Sequence, residues 1–500
     1  MVKFELLLIK IKMCHRFLLP GIILVIASQT QAAPQEDFIS DLPGLSWKPN
    51  FKQYSGYLKG SGTKKLHYWF VESSGNPKVD PVVLWMNGGP GCSSLHGFLT
   101  EHGPFRVNSD GSTLQPFPFA WNQLASMIYL EAPAGVGFSY SDDKNYTTDD
   151  DEVSESNHLA LQDFFRKFPE YSQNDFYITG ESYGGIYVPT LVSRVLDDPT
   201  INLKGFAVGN GLSDDEMNDN SIVYFAYYHG LLGDEEWINL LKVCCPGKES
   251  SLTCNFVAGM KNPQCSSELQ DVQNLVWRSG LNVYNLYANC PGGAKDLTLH
   301  FDEEREMFVT SNFGWPFMFL KSSIYDMKQK LKTLPANKLV STPPCTNDTN
   351  VIKYLNSASV KKALHISKEA ADWDICSTVV GNNYKQLYST VKPQYLKAVN
   401  RKLRVLVYNG DIDMACNFLG DEWFVDSLNL TNPQERRKWY YKEADGTTQV
   451  AGFVKTFDFL TFATIRGAGH MVPTDKPRPA LEMFTNFIQN KPFNYEQQCC

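Results

Sequence analysis

Six short apolar runs, each leading into glycine, constrain this chain more than any other feature. Residues 82–85 lead into Asn87-Gly-Gly-Pro-Gly91, residues 127–130 into Glu131-Ala-Pro-Ala-Gly135, and residues 176–179 into Gly180. Residues 206–208 lead into Gly209-Asn-Gly211, residues 403–408 into Asn409-Gly-Asp411, and residues 462–465 into Gly467. Runs without polar alternation suit strands buried on both faces, as in a mostly parallel sheet. Helical patterns lie between them, over 153–168, 183–196 and 479–488. Strands alternating with helices predict an α/β fold. At 500 residues and 43% hydrophobic content the chain can bury a large core.

The rhythm breaks between 213 and 342. That stretch holds a cysteine cluster and no clear strand–glycine signal. It is predicted to be a mostly helical insertion, residues 213–342, in a core made of residues 33–212 and 343–495. Insertions between sheet strands cover the carboxyl ends of the strands, where α/β proteins bind ligands. Residues 321–338 carry many lysines and few bulky apolar anchors, the pattern of a loose, protease-sensitive loop. Residues 496–500 form a tail.

The N-terminus reads as a signal peptide, residues 1–32. Lys10, Lys12 and Arg16 precede an apolar run over 17–27, and Thr30 and Ala32 offer small residues before a cut. Met13 begins a stretch that is a complete signal by itself. The run is shorter than the ~20 residues a span needs, and no later segment is long and apolar enough, so no membrane span is expected. Entry into the secretory pathway, to a lysosome or outside the cell, agrees with twelve cysteines. Five of them, Cys244, Cys245, Cys254, Cys265 and Cys290, crowd one stretch, which reads as disulfides in an oxidising compartment. No Cys-x-x-Cys pair or nearby histidine gives metal-ligand spacing, so no metal is expected. Sequons at Asn145, Asn347 and Asn429 predict surface glycans. The formal charge, 46 − 54 = −8, and the lack of a basic cluster argue against nucleic acid as a partner.

Gly180-Glu-Ser-Tyr-Gly184 has the Gly-x-Ser-x-Gly form, with an apolar run before it and a helical pattern after it. That is the setting of a nucleophile elbow, in which Ser182 stands on a sharp strand-to-helix turn. A serine hydroxyl needs a base, and the elbow fold places an acid and then a histidine later in the chain. His470, in Gly467-Ala-Gly-His470, directly follows a strand pattern and is the expected base. The acid lies at the end of the preceding strand, where Asp411 and Asp413 both qualify by spacing. An oxyanion hole needs two backbone N–H groups. Tyr183 supplies one, and the loop Asn87-Gly-Gly-Pro-Gly91 supplies the other from Gly88 or Gly89, with Gly89 the expected donor.

These residues together resemble the serine carboxypeptidase family. The resemblance rests on Leu84-Trp-Met-Asn-Gly-Gly-Pro-Gly-Cys-Ser-Ser94, on Glu181 before the serine, on Asn409-Gly-Asp-Ile-Asp413, and on Gly467-Ala-Gly-His-Met-Val-Pro473. It extends over residues 42–493. It implies an α/β-hydrolase fold with a disulfide-stapled cap, and it selects Asp413 as the acid. It implies that Asn87, Glu101 and Glu181 hold the C-terminal carboxylate of a peptide, with Trp85 in support. A carboxylate held by glutamates requires a shared proton, because two close acids cannot both ionise cheaply. The implied disulfides join Cys92 to Cys376, Cys244 to Cys265, Cys245 to Cys254 and Cys290 to Cys345. Cys416 is left as a free thiol near the site, and Cys499 and Cys500 match nothing in the family.

The expected activity is release of C-terminal amino acids from peptides through an acyl-enzyme at acidic pH, without a cofactor. Esterase or deamidase activity near neutral pH accompanies it. The rival readings are an acyltransferase of the same family and a protective scaffold for lysosomal glycosidases. The partners implied are peptides with a free C-terminus, a second copy in a homodimer, and a lysosomal glycosidase complex. The segments Asp413-Met-Ala-Cys-Asn-Phe418 and Ser279-Gly-Leu-Asn-Val-Tyr284 are similar to those of a lysosomal member of the family.

Overall fold

The six apolar runs form the six parallel strands at the centre of one sheet. The computed structural model describes residues 33–247, 253–291, 293, 300–302, 307–310, 339–341 and 345–493. The sheet strands, in chain order, are β1 (Gln53–Lys59), β2 (Lys64–Val71), β3 (Val82–Met86), β4 (Ser126–Leu130) and β5 (Phe176–Ser182), followed by β6 (Leu203–Gly211), β7 (Arg404–Gly410), β8 (Arg437–Lys442), β9 (Thr448–Thr456) and β10 (Leu460–Ile465). Their spatial order is β1-β2-β4-β3-β5-β6-β7-β10-β9-β8, with Tyr140–Ser141 pairing on β2 as the eleventh strand. From β4 to β10 in that order every pairing is parallel, and β3, β4 and β5 are buried along their whole length.

The outer strands β1, β2, β8 and β9 pair antiparallel. The two edge strands, β1 and β8, carry Lys59, Lys438 and Lys442, as edges that must resist further pairing do. One face of an edge is solvated, so polar residues interrupt the apolar run, and no strand was expected there.

The chain leaves β3 for β4 on one side and returns to β5 on the other. The carboxyl ends of β3 and β5 therefore flank the point where the winding reverses, the place where open α/β sheets bind ligands. Helices α1 (Asp150–Lys167) and α2 (Gly184–Val195) pack against each other, and α2 packs on β5 and β6. Asp149 caps α1 by accepting from Glu152 N, with acidic residues in its first turn and Arg166 and Lys167 in its last, all favourable to the helix dipole.

Between β6 and β7 in sequence come α3 (Asp215–Tyr228), α4 (Asp234–Cys244) and α5 (Pro263–Arg278). Cys244–Cys265 staples the last two, Cys245–Cys254 ties the end of α4 to the segment before α5, Cys290 bonds Cys345, and Cys92 bonds Cys376. The same stretch holds a small sheet of His300–Asp302, Met307–Thr310 and Leu339–Ser341, which the expected helical character did not include. After β7, α6 (Phe418–Ser427) packs against α3, and α7 (Pro477–Ile488) closes the fold. Among the described residues no helix is long and apolar enough to cross a membrane. The signal at 1–32, the lysine-rich loop at 321–338, and Cys499 and Cys500 lie outside the described residues. Asn145, Asn347 and Asn429 are all exposed.

Candidate active site

Ser182 ends β5 with φ +63°, the left-handed region that a sharp strand-to-helix turn demands. Gly88 lies directly against that turn. A Cβ at Gly88 would sit 2.4 Å from Tyr183 N and 2.8 Å from Ser182 Cβ, so only glycine permits the approach. The loop and the elbow are thereby pressed together. Among the described residues, the backbone N–H groups of Gly89 and Tyr183 donate to no backbone acceptor.

Asp413 lies three residues past β7 and His470 five residues past β10, the neighbouring strand. His470 Nδ1 meets Asp413 Oδ2 at 2.8 Å. Since a carboxylate can only accept, Nδ1 carries the proton there and Nε2 is the nitrogen left to act as base. Asp413 is wholly buried and also accepts from Ala415 N at 2.9 Å, Cys416 N at 3.1 Å and Asn210 Nδ2 at 2.8 Å. Asp411 faces elsewhere and accepts from Gly467 N at 2.6 Å. Spacing left these two acids equivalent; the geometry puts Asp413 on the histidine. Asn210, on β6 beside β5 and β7, was not anticipated as more than a strand end. Tyr284, also unanticipated, lies beside the imidazole with ring centroids 4.5 Å apart, and its carbonyl accepts His470 N at 2.6 Å.

A second cluster adjoins the elbow through Glu181. Asn87 Nδ2 donates to Glu181 Oε1 at 2.7 Å and to Glu101 Oε1 at 3.0 Å. Trp85 Nε1 donates to Asn87 Oδ1 at 2.8 Å, and Gly97 N donates to the same oxygen at 3.1 Å. The Trp85 ring packs edge-on against His102 and Trp121 and is fully buried. Glu101 ends a single π-helical turn, Gly97–Glu101, a distortion frequent at functional sites.

Burial pushes Glu181 well above the ordinary carboxylate range, and the charge of Glu101 adds to it. Burial likewise raises Glu101, although His96 and Asn87 pull it down. Glu101 Oε2 is buried with no donor facing it. A proton held between the two carboxyls removes the repulsion.

Cys416 is a free, fully buried thiol. Burial holds it well above its usual range, and the Asp413 charge adds to that. A thiol so held is a poor nucleophile.

A family model described as Serine carboxypeptidase matches residues 43–490. The chain belongs to the serine carboxypeptidase family. Among its relatives, the lysosomal protective protein of Mus musculus is 52% identical, over 93% of this chain and 96% of that protein. A serine carboxypeptidase of Caenorhabditis elegans, ctsa-4.1, is 41% identical, over 93% of this chain and 95% of its own length. The crystal structure of Kex1(delta)p, a prohormone-processing carboxypeptidase from Saccharomyces cerevisiae, superposes with a TM-score of 0.68. It covers 92% of this chain and 96% of that one at 22% identity, and shares the fold. As a member of the serine carboxypeptidase family, the chain is a hydrolase with an α/β-hydrolase fold.

Proposed function

We propose that this serine carboxypeptidase removes the C-terminal residue of peptides through an acyl-enzyme on Ser182, and does so best at acidic pH. His470 Nε2 takes the Ser182 proton as Oγ attacks the scissile carbonyl, and Asp413 stabilises the imidazolium that forms. The N–H groups of Tyr183 and Gly89 face the developing oxyanion. The imidazolium then protonates the leaving amine, and water, activated by the same histidine, releases the acyl group.

The observation that carries the exopeptidase reading is Asn87 holding Glu101 and Glu181 beside the nucleophile, with a proton required between them. A protonated carboxyl and an amide can donate to the substrate's terminal carboxylate, whereas an ionised pair repels it. The substrate's last residue is thereby fixed one peptide bond from Ser182. Esters and peptide amides lack that carboxylate and are turned over nearer neutrality. The free thiol of Cys416 is buried, three residues past Asp413. A lysosomal location fits the likeness to the lysosomal protective protein. Glycans on Asn145, Asn347 and Asn429, a cap formed by 213–342, a homodimer and association with glycosidases belong to the same proposal.

The test is a set of matched peptides ending in a free acid or an amide, digested with and without an amine acceptor. The parent should release the last residue of the acid peptide. Ser182→Ala should lose that activity by about four orders of magnitude or more and escape labelling by a fluorophosphonate. Transfer to the acceptor without hydrolysis would instead indicate an acyltransferase.

A further inference from the structure

A second buried carboxyl lies behind the first. Asp421, in the first turn of α6, is 3% exposed and takes no part in the chemistry described above. Its Oδ2 accepts from Gly211 N at 3.1 Å and from Asn409 Nδ2 at 2.8 Å, and its Oδ1 pairs with Ser213 Oγ at 3.1 Å. Gly211 ends β6 and Asn409 is in β7, the two strands whose ends hold the triad acid.

Each strand end reaches Asp413 in one further step. Asn210, the residue before Gly211, donates to Asp413 Oδ2 and accepts from Gly410 N at 3.0 Å. The same Asn409 amide that binds Asp421 also reaches Cys416 O at 3.2 Å, and Cys416 N donates to Asp413 Oδ2. One carboxyl oxygen thus ties together both arms that aim the acid at His470. Nothing else in the catalytic scheme requires a buried acid at this place, and burying one is costly unless its partners are fixed.

We propose that Asp421 is a positioning residue for the triad: through Gly211 and Asn409 it fixes the two strand ends that hold Asp413 against His470. The proposal rests on the reading of Asp413 and His470 as catalytic. Burial pushes the Asp421 carboxyl up to about 7, so at acidic pH it is protonated. The neighbouring Asp413 charge also favours that proton. The geometry tolerates it. Ser213 Oγ can accept from a protonated Oδ1, while Oδ2 keeps both of its donors. The acceptor oxygen, not the charge, does the positioning. An asparagine can reproduce this arrangement, with its amide oxygen toward Gly211 and Asn409 and its NH2 toward Ser213.

The experiment compares D421A, D421N and N409A with the parent at pH 5, reading kcat and KM for one acid peptide. D421A should lose about tenfold or more in kcat, with KM within about twofold, because the substrate-binding cluster is untouched. D421N should recover most of that loss. N409A, which cuts one arm while keeping Asp421, should show the same kcat loss at steady KM, and it decides the matter should D421A not fold. Parental kcat in D421A or in N409A, or D421N as impaired as D421A, overturns the proposal. S182A assayed alongside reports on the underlying reading: activity retained there overturns the triad itself, whatever Asp421 does.

Discussion

Trp85 Nε1 donates to Asn87 Oδ1 at 2.8 Å, and that bond decides which end of the Asn87 amide faces the glutamates. With its oxygen occupied by the indole and by Gly97 N, Asn87 must present its NH2 to Glu101 and Glu181. Trp85→Phe keeps the ring and removes the donor. The loss of one buried hydrogen bond, about 1–1.5 kcal/mol, should lower kcat/KM for acid peptides by about tenfold. Ester substrates, which do not use the cluster, should be nearly unaffected. Equal losses on both substrates would show that Trp85 acts through packing alone.

The raised titrations of Glu181 and Glu101 set the pH behaviour. The pair must carry a proton to accept a carboxylate, so kcat/KM for acid peptides should fall as pH rises through the raised value. Amides and esters should not show that fall. Glu181→Gln keeps a neutral donor and removes the titration, and should flatten the fall above about pH 6. Profiles of kcat/KM against pH for a matched acid and amide check this; coincident curves would separate Glu181 from recognition of the C-terminus.

Folding stability should drift in the same direction. Glu101, Glu181 and Asp421 hold their protons in the folded chain at pH values where the unfolded chain has lost them. The folded state therefore binds more protons, and stability present in full below the unfolded values is lost as pH rises through the folded ones. For Asp421 the window runs from 3.8 to about 7. Thermal melts from acid to neutral pH should show a falling Tm, with a shallower slope in Glu181→Gln. A Tm that rises to neutrality in the parent and mutant alike would contradict the burial of protonated acids.

Cys416 offers a chemical handle. Its thiol is buried near Asp413 and held protonated, so it should be inert to alkylation and react only with a reagent of high thiol affinity such as a mercurial. A mercurial should abolish peptide hydrolysis by the parent, while Cys416→Ser keeps substantial activity and resists the reagent. A folded but inactive Cys416→Ser would give the thiol a chemical role.

How much of this could be read in the sequence depends on burial and on range. The parallel strands stand out because both their faces are covered, which leaves runs such as Val82–Met86 without a polar residue. Strands β8 and β9 escape notice because exposed polar residues such as Lys438 and Thr448 break their apolar pattern. Ser182 and His470 are marked by the glycines that their turns need. Asn210, Tyr284 and Asp421 carry no such mark. Each bonds a partner far away in sequence, and an asparagine at a strand end looks the same whether or not a carboxylate 203 residues later accepts from it.

The disulfides Cys92–Cys376 and Cys290–Cys345 both bridge the stretch from 291 to 344. Ser182 lies on one side of that stretch, and Asp413 and His470 lie on the other. A single proteolytic nick there would put Ser182 on one polypeptide and the Asp413–His470 pair on another, yet two covalent ties would keep them in one molecule. On a gel such a species would run as one band until reduced and as two afterwards. The residues proposed for catalysis can thus be divided between chains without being dispersed.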